Sequence, residues 1–356
     1  MKRCTKCLMP ETRPRITFDA DGVCNACQWH ERKRQIDWTE RREYFQHLAS
    51  VYGPEVIVPW SGGKDSVYVA YKMREFRLRP TLACVVPHLE TDIGKWNRLN
   101  LCSEFPKLFI NLDDEKYRRL AKKYFIDQGR PKHPWECAIS AVILQQAVDL
   151  HIPLIVYGED GEQEYGGAGT EDMTELRSEW KKPVSTEWLQ KYYYQGHLDW
   201  PLPSERELDE LYFTQWSKFE PWSPSEHANF AVAKGMRTEP VRNVGTLESR
   251  SQNSDKLQSL HCYLMFLKFG FGRATADTCI AIRDGWLSRD EAVTWVRKYD
   301  AEYPWKYHKD YLAYFDMSEE EYWGVLYSWA NLDLLKPGGR NAWVLKESHA
   351  LAPTGL

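Results

Sequence analysis

Long apolar runs are missing from this chain of 356 residues. No run approaches the ~18 apolar residues that a membrane-spanning helix needs, and the opening MKRCTKCLMP has no apolar stretch of the kind found in secretory signals. The composition, with 43% hydrophobic and 28% charged residues, is ordinary for a globular protein. We therefore expect a cytoplasmic protein without a membrane partner.

A strong excess of one charge is also missing, because the formal net charge is only −4. This balance argues against a large nucleic-acid-binding surface. The densest basic segment is ERKRQIDWTERREY (residues 31 to 44), in which five basic residues face four acidic ones. We interpret it as a solvated helix and predict no nucleic-acid partner.

Paired cysteines occur only near the N-terminus. Cys4-x2-Cys7 and Cys24-x2-Cys27 have the spacing of two knuckles that supply four thiolates to a tetrahedral zinc ion. We expect this zinc to organise a small ribbon that, with a helical linker, occupies residues 1–50. The other cysteines are isolated, and we expect them to be reduced core residues: Cys84, Cys102, Cys137, Cys262 and Cys279.

A Walker A motif is absent as well, but Ser61-Gly62-Gly63-Lys64-Asp65-Ser66 lies between an apolar run (residues 55–60) and a helical pattern (67–76). At a strand-to-helix turn, glycines allow the backbone to approach a ligand closely. The free N–H groups at the start of a helix favour an anion. The motif SGGKDS therefore predicts a phosphate-binding turn, with an ordinary Gly-Ser turn as the alternative.

Apolar runs alternate with helical patterns between residues 51 and 170. The runs that predict strands are EVIVPW (55–60), TLACVV (81–86), KLFINL (107–112) and PLIVYG (153–158). This alternation predicts an α/β fold with a doubly wound parallel sheet, which binds ligands at the carboxyl ends of its strands. Residues 171–356 are predicted to be mainly helical and to bind substrate or a partner.

Two acidic segments follow predicted strands. GEDGEQEYGG (158–167) contains Glu159 and Asp160, which could hold Mg²⁺ or sugar hydroxyls, and the alternative is a solvated loop. PHLETDIG (87–94) could also contribute to a site, although an ordinary loop is equally consistent with it. This segment offers His88, Glu90 and Asp92.

Two cations occur in KFGFGR, at the end of a helical pattern. Lys268 and Arg273 could neutralise the negative charge that develops on a transferring phosphoryl group. The alternative is a helix end capped by glycine and supported by basic residues.

Taken together, these motifs resemble the N-acetyl sugar amidotransferases of surface-polysaccharide and nonulosonate biosynthesis, a WbpG/PseA-like family of PP-loop ATP pyrophosphatases. The resemblance covers roughly residues 1 to 300. It rests on five segments in this order: CTKCLMPETRPRITFDADGVCNAC, VPWSGGKDS, PHLETDIG, YGEDGEQEYGG and KFGFGRATADTCIAIRDGWLSRDEAVTWVRKYD.

The resemblance implies a carbon-nitrogen ligase that converts the acetamido group of a bacterial N-acetyl sugar into an acetamidino group, in lipopolysaccharide O-antigen or pseudaminic acid biosynthesis. ATP would activate the amide and leave as AMP and pyrophosphate. The implied ligands of ATP are Ser61, Gly62, Gly63, Asp65, Ser66, Gly158 and Glu159. The implied catalytic residues are Lys64, Asp65, Lys268 and Arg273, with Asp160 as a candidate magnesium ligand.

No source of ammonia is visible in the sequence, because Cys4 belongs to the zinc pattern and no cysteine lies in a G-x-C-x-G motif. The resemblance therefore implies a separate HisH-like glutaminase, working with a HisF-like subunit that passes ammonia on, or the use of free ammonium. The alternative function is a PP-loop tRNA-modifying (thiolation) enzyme. The acidic net charge and the lack of a Cys-x2-Cys pair after Cys27 disfavour it.

Overall fold

A five-stranded parallel sheet lies at the centre of the computed structural model, which describes residues 1–158, 161–166, 202–339 and 341–352. The strand order is β3-β2-β1-β4-β5, and every neighbouring pair is parallel. The strands are β1 (Glu55–Pro59), β2 (Arg79–Val85), β3 (Lys107–Ile110), β4 (Leu154–Tyr157) and β5 (Tyr212–Gln215). The predicted doubly wound α/β fold is confirmed.

Helices cover both faces of this sheet, and the sequence of β1 reflects this. Val56 and Val58 pack on one face, while Ile57 packs on the other. A strand buried on both sides must be apolar throughout, which is why EVIVP reads as a continuous run. The helices in this part of the chain are α2 (Trp38–Tyr52), α3 (Lys64–Glu75), α4 (Asp92–Asn100), α5 (Asp114–Gln128), α6 (His133–Asp149), α7 (Gly161–Tyr165) and α8 (Glu205–Glu210).

The edge strand β5 was not predicted. It lies in the part of the chain for which the sequence indicated mainly helices, and it pairs with β4 from Leu154↔Tyr212 to Tyr157↔Gln215. A four-residue strand is too short for its apolar pattern to stand out from that of a helix. The central sheet therefore extends beyond the expected boundary at residue 170.

The remainder of the described chain is mainly helical, as expected. Its helices are α9 (Pro224–Ala233), α10 (Lys256–Phe269), α11 (Arg273–Arg283), α12 (Arg289–Tyr299), α13 (His308–Phe315) and α14 (Glu319–Ser328), followed by the hairpin β6 (Leu335–Gly339) and β7 (Ala342–Leu345). Ser288 is the N-cap of α12 and forms a complete capping box with Glu291. Among the described helices, none combines the length and apolarity needed to cross a bilayer.

The N-terminal module begins with the cysteine pairs and ends in helix α1 (Asn25–Lys33). Its buried residues, including Leu8 and Met9, pack against Cys279 of α11 and Val293 of α12. The module therefore shares a core with the C-terminal helices, although about 240 residues separate the two in sequence.

Candidate active site

The SGGKDS loop lies at the carboxyl end of β1, where the strand order changes direction. The chain runs from β1 to β2 and β3 on one side and then returns to place β4 on the other side of β1. Such a switch point opens a crevice above the strand ends, and ligands of open α/β sheets bind there. The loop therefore occupies the expected ligand position of this fold.

The geometry of the loop explains its glycines. Gly62 has φ +73°, and a Cβ atom at this position would lie 2.6 Å from the backbone nitrogen of Arg98. Only glycine fits such an approach without displacing backbone. Gly63 is the N-cap of α3 and provides no side-chain cap, so the first turn of this helix can offer its N–H groups to an anion.

The two serines of the loop hold its shape. Ser61 Oγ accepts a hydrogen bond from the backbone N–H of Gly63 at 3.2 Å, and Ser66 Oγ donates to the carbonyl of Gly63 at 3.1 Å. The two hydroxyl oxygens lie 3.5 Å apart. The loop therefore presents two hydroxyls beside the helix start, which is an arrangement suited to phosphate oxygens.

Asp65 lies at the centre of a cluster of three donors, two of which come from distant parts of the chain. Its Oδ1 accepts hydrogen bonds from Trp222 Nε1 at 2.9 Å and from His227 Nδ1 at 2.8 Å, and its Oδ2 contacts the ammonium of Lys64. Burial opposes ionisation of Asp65. The nearby Lys64 and the hydrogen bond from His227 nevertheless hold the pKa of this carboxyl well below its usual range. Asp65 is therefore a carboxylate held in place by three donors.

Two cavities of similar size flank the loop, and both are lined by Ser61, Gly63 and Asp65. The first cavity, of about 260 Å³, has largely apolar walls from the ends of β1, β2 and β4 and from α6. We call it the apolar cavity. The second, of about 250 Å³, is lined mostly by polar side chains, and we call it the polar cavity.

The walls of the cavities come from different parts of the chain. The apolar cavity is lined by Pro59, Ala83, Cys84, Val85, Pro87, Trp135, Ile139, Tyr157 and Gly158. The polar cavity is lined by Asn97, Tyr165, Met236, Arg250, Ser251, Gln252, Asn253, Gln258 and Arg273. Ser254 lines both. Because both cavities adjoin the SGGKDS loop, we treat the two together as the candidate site.

Of the two predicted cations, only Arg273 lines a cavity beside the loop. Its Nε donates to Asp277 Oδ1 at 2.7 Å, and its guanidinium carbon lies 5.6 Å from the ring centre of Tyr165. Burial disfavours its charge, but the carboxylate of Asp277 raises the pKa of Arg273 above its usual value. Arg273 is therefore a fixed positive charge in the wall of the polar cavity.

Lys268 instead lies at the last turn of α10. Its ammonium donates to the carbonyl of Gln128 at 3.0 Å and lies 5.4 Å from the ring centre of Trp329. Burial lowers the pKa of this lysine. In the described part of the chain, Lys268 thus interacts with the end of α5 and is not brought to the SGGKDS loop.

The acidic segment after β4 is described only in part. Gly158 lines the apolar cavity, whereas Glu159 and Asp160 lie outside the described residues. Farther on, Glu164 is buried, and its carboxylate accepts from Trp29 Nε1 at 3.1 Å and from Lys33 Nζ at 2.8 Å. These bonds attach α7 to the N-terminal module.

The polar side chains of PHLETDIG do not line either cavity. Glu90 accepts two hydrogen bonds from the guanidinium of Arg98, at 2.6 and 2.7 Å. His88 Nδ1 lies 3.6 Å from Asp114 Oδ1, and Asp92 is exposed in the first turn of α4. The segment contributes Pro87 to the apolar cavity and Gly94 to the polar cavity.

The four N-terminal cysteines converge as expected for a metal site. All four are buried, and their sulfur atoms lie within 4.8 Å of one another. The Sγ atoms of Cys4 and Cys27 are 3.9 Å apart, and those of Cys7 and Cys24 are 3.7 Å apart. A tetrahedron with zinc–sulfur distances of about 2.3 Å has sulfur–sulfur edges of about 3.8 Å. The two measured sulfur–sulfur distances match this edge, so the four thiols are placed to hold a zinc ion.

Several residues of the site were not predicted from the sequence. Trp222, His227 and the segment 250–254 reach the loop from more than 150 residues away. The only local signal was the polar stretch ESRSQNSD before α10, which has no apolar periodicity. Long loops without secondary structure in a compact fold are often functional, and this property could have drawn attention to the stretch.

Comparison with known proteins places these distant residues within a region that matches a known family. Residues 212–344 match the family described as LPS biosynthesis protein WbpG-like, C-terminal domain. Among solved structures, the chain is similar to that of a predicted subunit of tRNA methyltransferase from Methanocaldococcus jannaschii, with 14% identity, coverage of 59% of this chain and 87% of that chain, and a TM-score of 0.30. A search of curated proteins gave no match.

Proposed function

We propose, from the match of residues 212–344 to the WbpG-like family of lipopolysaccharide biosynthesis proteins, that the chain is the synthetase component of an ATP-dependent N-acetyl sugar amidotransferase. The enzyme would convert an acetamido group into an acetamidino group. The observation that carries the proposal is the SGGKDS loop between two cavities at the switch point, because a ligase must bring a nucleotide and an acceptor together over one phosphate site.

The proposed reaction has two steps. First, the amide oxygen of the acetamido group attacks the α-phosphorus of ATP, the bond between the α-phosphorus and the bridging oxygen breaks, and pyrophosphate leaves. Second, ammonia attacks the carbon of the adenylated imidate, and AMP leaves with the former amide oxygen. One nitrogen with its hydrogen replaces one oxygen, so the sugar loses 1 Da.

The residues of the loop suit the first step. The hydroxyls of Ser61 and Ser66 and the N–H groups at the start of α3 would hold the departing pyrophosphate. Lys64 and Arg273 line the same cavity and would offset negative charge in the transition state. ATP normally enters such sites with Mg²⁺, and the carboxylate of Asp65 is a suitable ligand within the described residues.

The N-terminal cysteines would hold zinc in a structural role. A site closed by four thiolates leaves no position for water or substrate. Arg283 of α11 lies close to these thiols, and its Nη2 donates to the carbonyl of Glu164 in α7 at 2.8 Å. When bound, zinc would supply folding energy to a module of about 30 residues.

Isotope transfer tests the proposed reaction. We expect turnover with ATP, ammonium and an N-acetyl sugar labelled with ¹⁸O in its amide to yield AMP that carries the label, together with pyrophosphate and a product 1 Da lighter than the unlabelled sugar. ADP as the nucleotide product would contradict the adenylation step. Modification of tRNA instead of sugar would favour the thiolation alternative.

The nitrogen donor is tested separately. We propose that a HisH-like glutaminase, with a HisF-like subunit, delivers ammonia to this chain. The purified chain is then expected to use ammonium salts but not glutamine, with rates that rise with pH because only NH₃ is nucleophilic. Efficient use of glutamine by the chain alone, with release of glutamate, would contradict this proposal.

A further inference from the structure

The loop from Arg250 to Ser254 is held in place on two sides. On one side, Asn243 Nδ2 donates to the carbonyl of Ser251 at 2.6 Å and to Asn253 Oδ1 at 2.7 Å. On the other, the N–H of Thr91 donates to the carbonyl of Ser254 at 3.2 Å. These anchors fix a segment without regular secondary structure against the start of α4.

The contact with α4 is unusually close. A Cβ atom on Gly94 would lie 2.3 Å from the carbonyl oxygen of Ser254, so only glycine permits the loop to pass here. The N–H of Gly94 is itself occupied, because it donates to Thr91 Oγ1 at 2.8 Å. Most side chains of the loop are also hydrogen-bonded within the protein: Arg250 to Glu248, Asn253 to Asn243 and Ser254 to Asp255.

Two polar atoms in this loop have no hydrogen-bond partner among the described residues. They are Ser251 Oγ and Gln252 Oε1, and both are buried in the wall of the polar cavity. Gln252 also has φ +57°, a left-handed conformation that is uncommon for a residue other than glycine. Buried polar atoms without partners and strained backbone both concentrate at binding sites.

The two cavities differ in the kind of ligand that their walls can contact and hydrogen-bond. A purine base has large apolar faces and suits the apolar cavity, where it can pack against Trp135, Pro87 and Ile139. A sugar ring with hydroxyl and amide groups would leave those groups without partners there, at a substantial cost. The polar cavity offers hydroxyl, amide and guanidinium groups instead.

We infer that the loop 250–254 forms the binding site for the acetamido sugar, with Gln252 Oε1 and Ser251 Oγ as its hydrogen-bonding atoms. This inference rests on the proposed function and assigns the polar cavity to the acceptor. Gln252 Oε1 accepts from the amide N–H of the acetamido group, and Ser251 Oγ serves an adjacent sugar hydroxyl. Since Ser61, Gly63 and Lys64 of the SGGKDS loop also line the polar cavity, an acceptor amide bound there lies beside the phosphate-binding turn.

An exchange experiment tests the inference without ammonia. ATP–pyrophosphate exchange requires only reversible adenylation of the sugar, so the dependence of its rate on sugar concentration gives a KM for the acceptor. The probes are N-acetylglucosamine, N-acetylgalactosamine and N-acetylmannosamine, each free and joined to UDP. The Michaelis constants for sugar and for ATP are measured with the wild-type chain and with three variants.

Gln252→Met keeps the length of the side chain but removes the acceptor, and we expect it to raise KM for the sugar about tenfold while KM for ATP changes less than twofold. Gln252→Glu loses the donor to Cys262 Sγ, at 3.4 Å, and adds a negative charge, but it keeps an acceptor oxygen for the amide N–H, so its KM for sugar should stay closer to wild type than that of Gln252→Met. Ile139→Ala, in the apolar cavity, should raise KM for ATP and leave that for sugar unchanged.

The outcomes separate the two proposals. If Gln252→Met supports exchange with an unchanged KM for sugar, or if it raises KM for ATP instead, the assignment of the polar cavity to the sugar is wrong. The proposed reaction would remain intact in either case. Failure of all six probes to support exchange would overturn both. If Gln252→Met does not fold, Ser251→Ala provides the same comparison, with an expected increase in KM for sugar of about fivefold.

Discussion

The cysteine cluster and the SGGKDS loop are both short motifs, but they complete their sites in different ways. The four thiols come from residues 4–27 and lie within 4.8 Å of one another, which is a complete ligand set for one metal ion. The loop supplies only the floor of its site, and the walls come from segments throughout the chain. Spacing alone therefore specifies the metal site, whereas the loop specifies only where a site begins.

The reason lies in the size of the ligands. A metal ion is surrounded by four atoms, which two knuckles can provide. A nucleotide and a sugar need several hundred Å³ of wall, which no single turn can supply. The region that matches the WbpG-like family, residues 212–344, contributes the loop 250–254 and Arg273 to that wall. It also supplies Trp222 and His227, which hold Asp65 of the SGGKDS loop.

The largest effect is expected at Asp65, where the local motif and the distant residues meet. Asp65→Asn should lower formation of AMP about 10³-fold or more, because it removes the charge that faces Lys64 and His227 in the buried site. The matched control is Asp92→Asn, since Asp92 also lies in the first turn of a helix but is exposed. Equal activity in the two variants would show that Asp65 has no part in turnover.

The same variant gives a prediction for pH. The pKa of Asp65 is lower in the folded chain than in the unfolded chain, so its ionisation stabilises the fold above the usual carboxyl range of about pH 4. This contribution is lost as the pH falls through the folded-state pKa. The difference in free energy of unfolding between wild type and Asp65→Asn should therefore be constant near pH 7 and shrink only in acid, as measured by urea unfolding.

The second-largest effect is expected at the cysteine cluster, whose ligands all come from one short segment. Replacing Cys4 and Cys24 together with serine should reduce bound zinc from one ion per chain to none, and it should expose residues 1–33 to proteolysis. Turnover should fall less than in Asp65→Asn, because the module reaches the site indirectly, through α7 and Glu164. Metal analysis and limited proteolysis measure both expectations.

A double variant of isolated cysteines is the control for this test. Cys102 and Cys137 are also buried, but they lie outside the cluster. Their replacement with serine should leave the zinc content at one ion per chain. Retention of zinc by the variant that lacks Cys4 and Cys24 would contradict the four-thiolate site.

The sequence predicted the parts of the molecule that have local causes. The strands β1 to β4 were visible because buried parallel strands are continuously apolar, and the cysteine cluster and the loop follow from spacing. Long-range contacts were not visible. Nothing near Trp222 or His227 indicates that both donate to Asp65, because a tryptophan and a histidine at the start of a helix are equally consistent with an ordinary core.

The third effect concerns His227, which we expect to position Asp65 without touching substrate. Its ring is buried, donates to Asp65 Oδ1 and stacks on Tyr68 with 3.9 Å between ring centres. His227→Ala should lower kcat about tenfold. It should also shift the acidic limb of the pH profile to higher pH, because the hydrogen bond from His227 helps to lower the pKa of Asp65.

A second variant, His227→Asn, separates the hydrogen bond of His227 to Asp65 from the packing of its ring. The variant His227→Asn does not fill the volume of the ring, but it places an amide N–H near the former position of Nδ1. The acidic limb of its pH profile should therefore lie closer to that of wild type than to that of His227→Ala. The ring stack on Tyr68 is lost in both variants. The charges of Glu220 and Lys72, near Tyr68, are 3.4 Å apart and stay paired in both variants. An acidic limb that is equally shifted in both variants would show that His227 only fills space.

The smallest effect is expected at Trp222, whose Nε1 donates a single hydrogen bond to Asp65. Trp222→Phe keeps an aromatic ring but removes this donor, so turnover should fall about threefold to tenfold. Trp216 is the matched control, because it is also buried and its Nε1 donates to Glu220 at 2.7 Å, away from the loop. Trp216→Phe should lower the melting temperature to a similar extent without a change in kcat. If both variants lower kcat equally, the donors to Asp65 act through the stability of the fold, and the contrast between a local motif and a distributed site would lose its kinetic support.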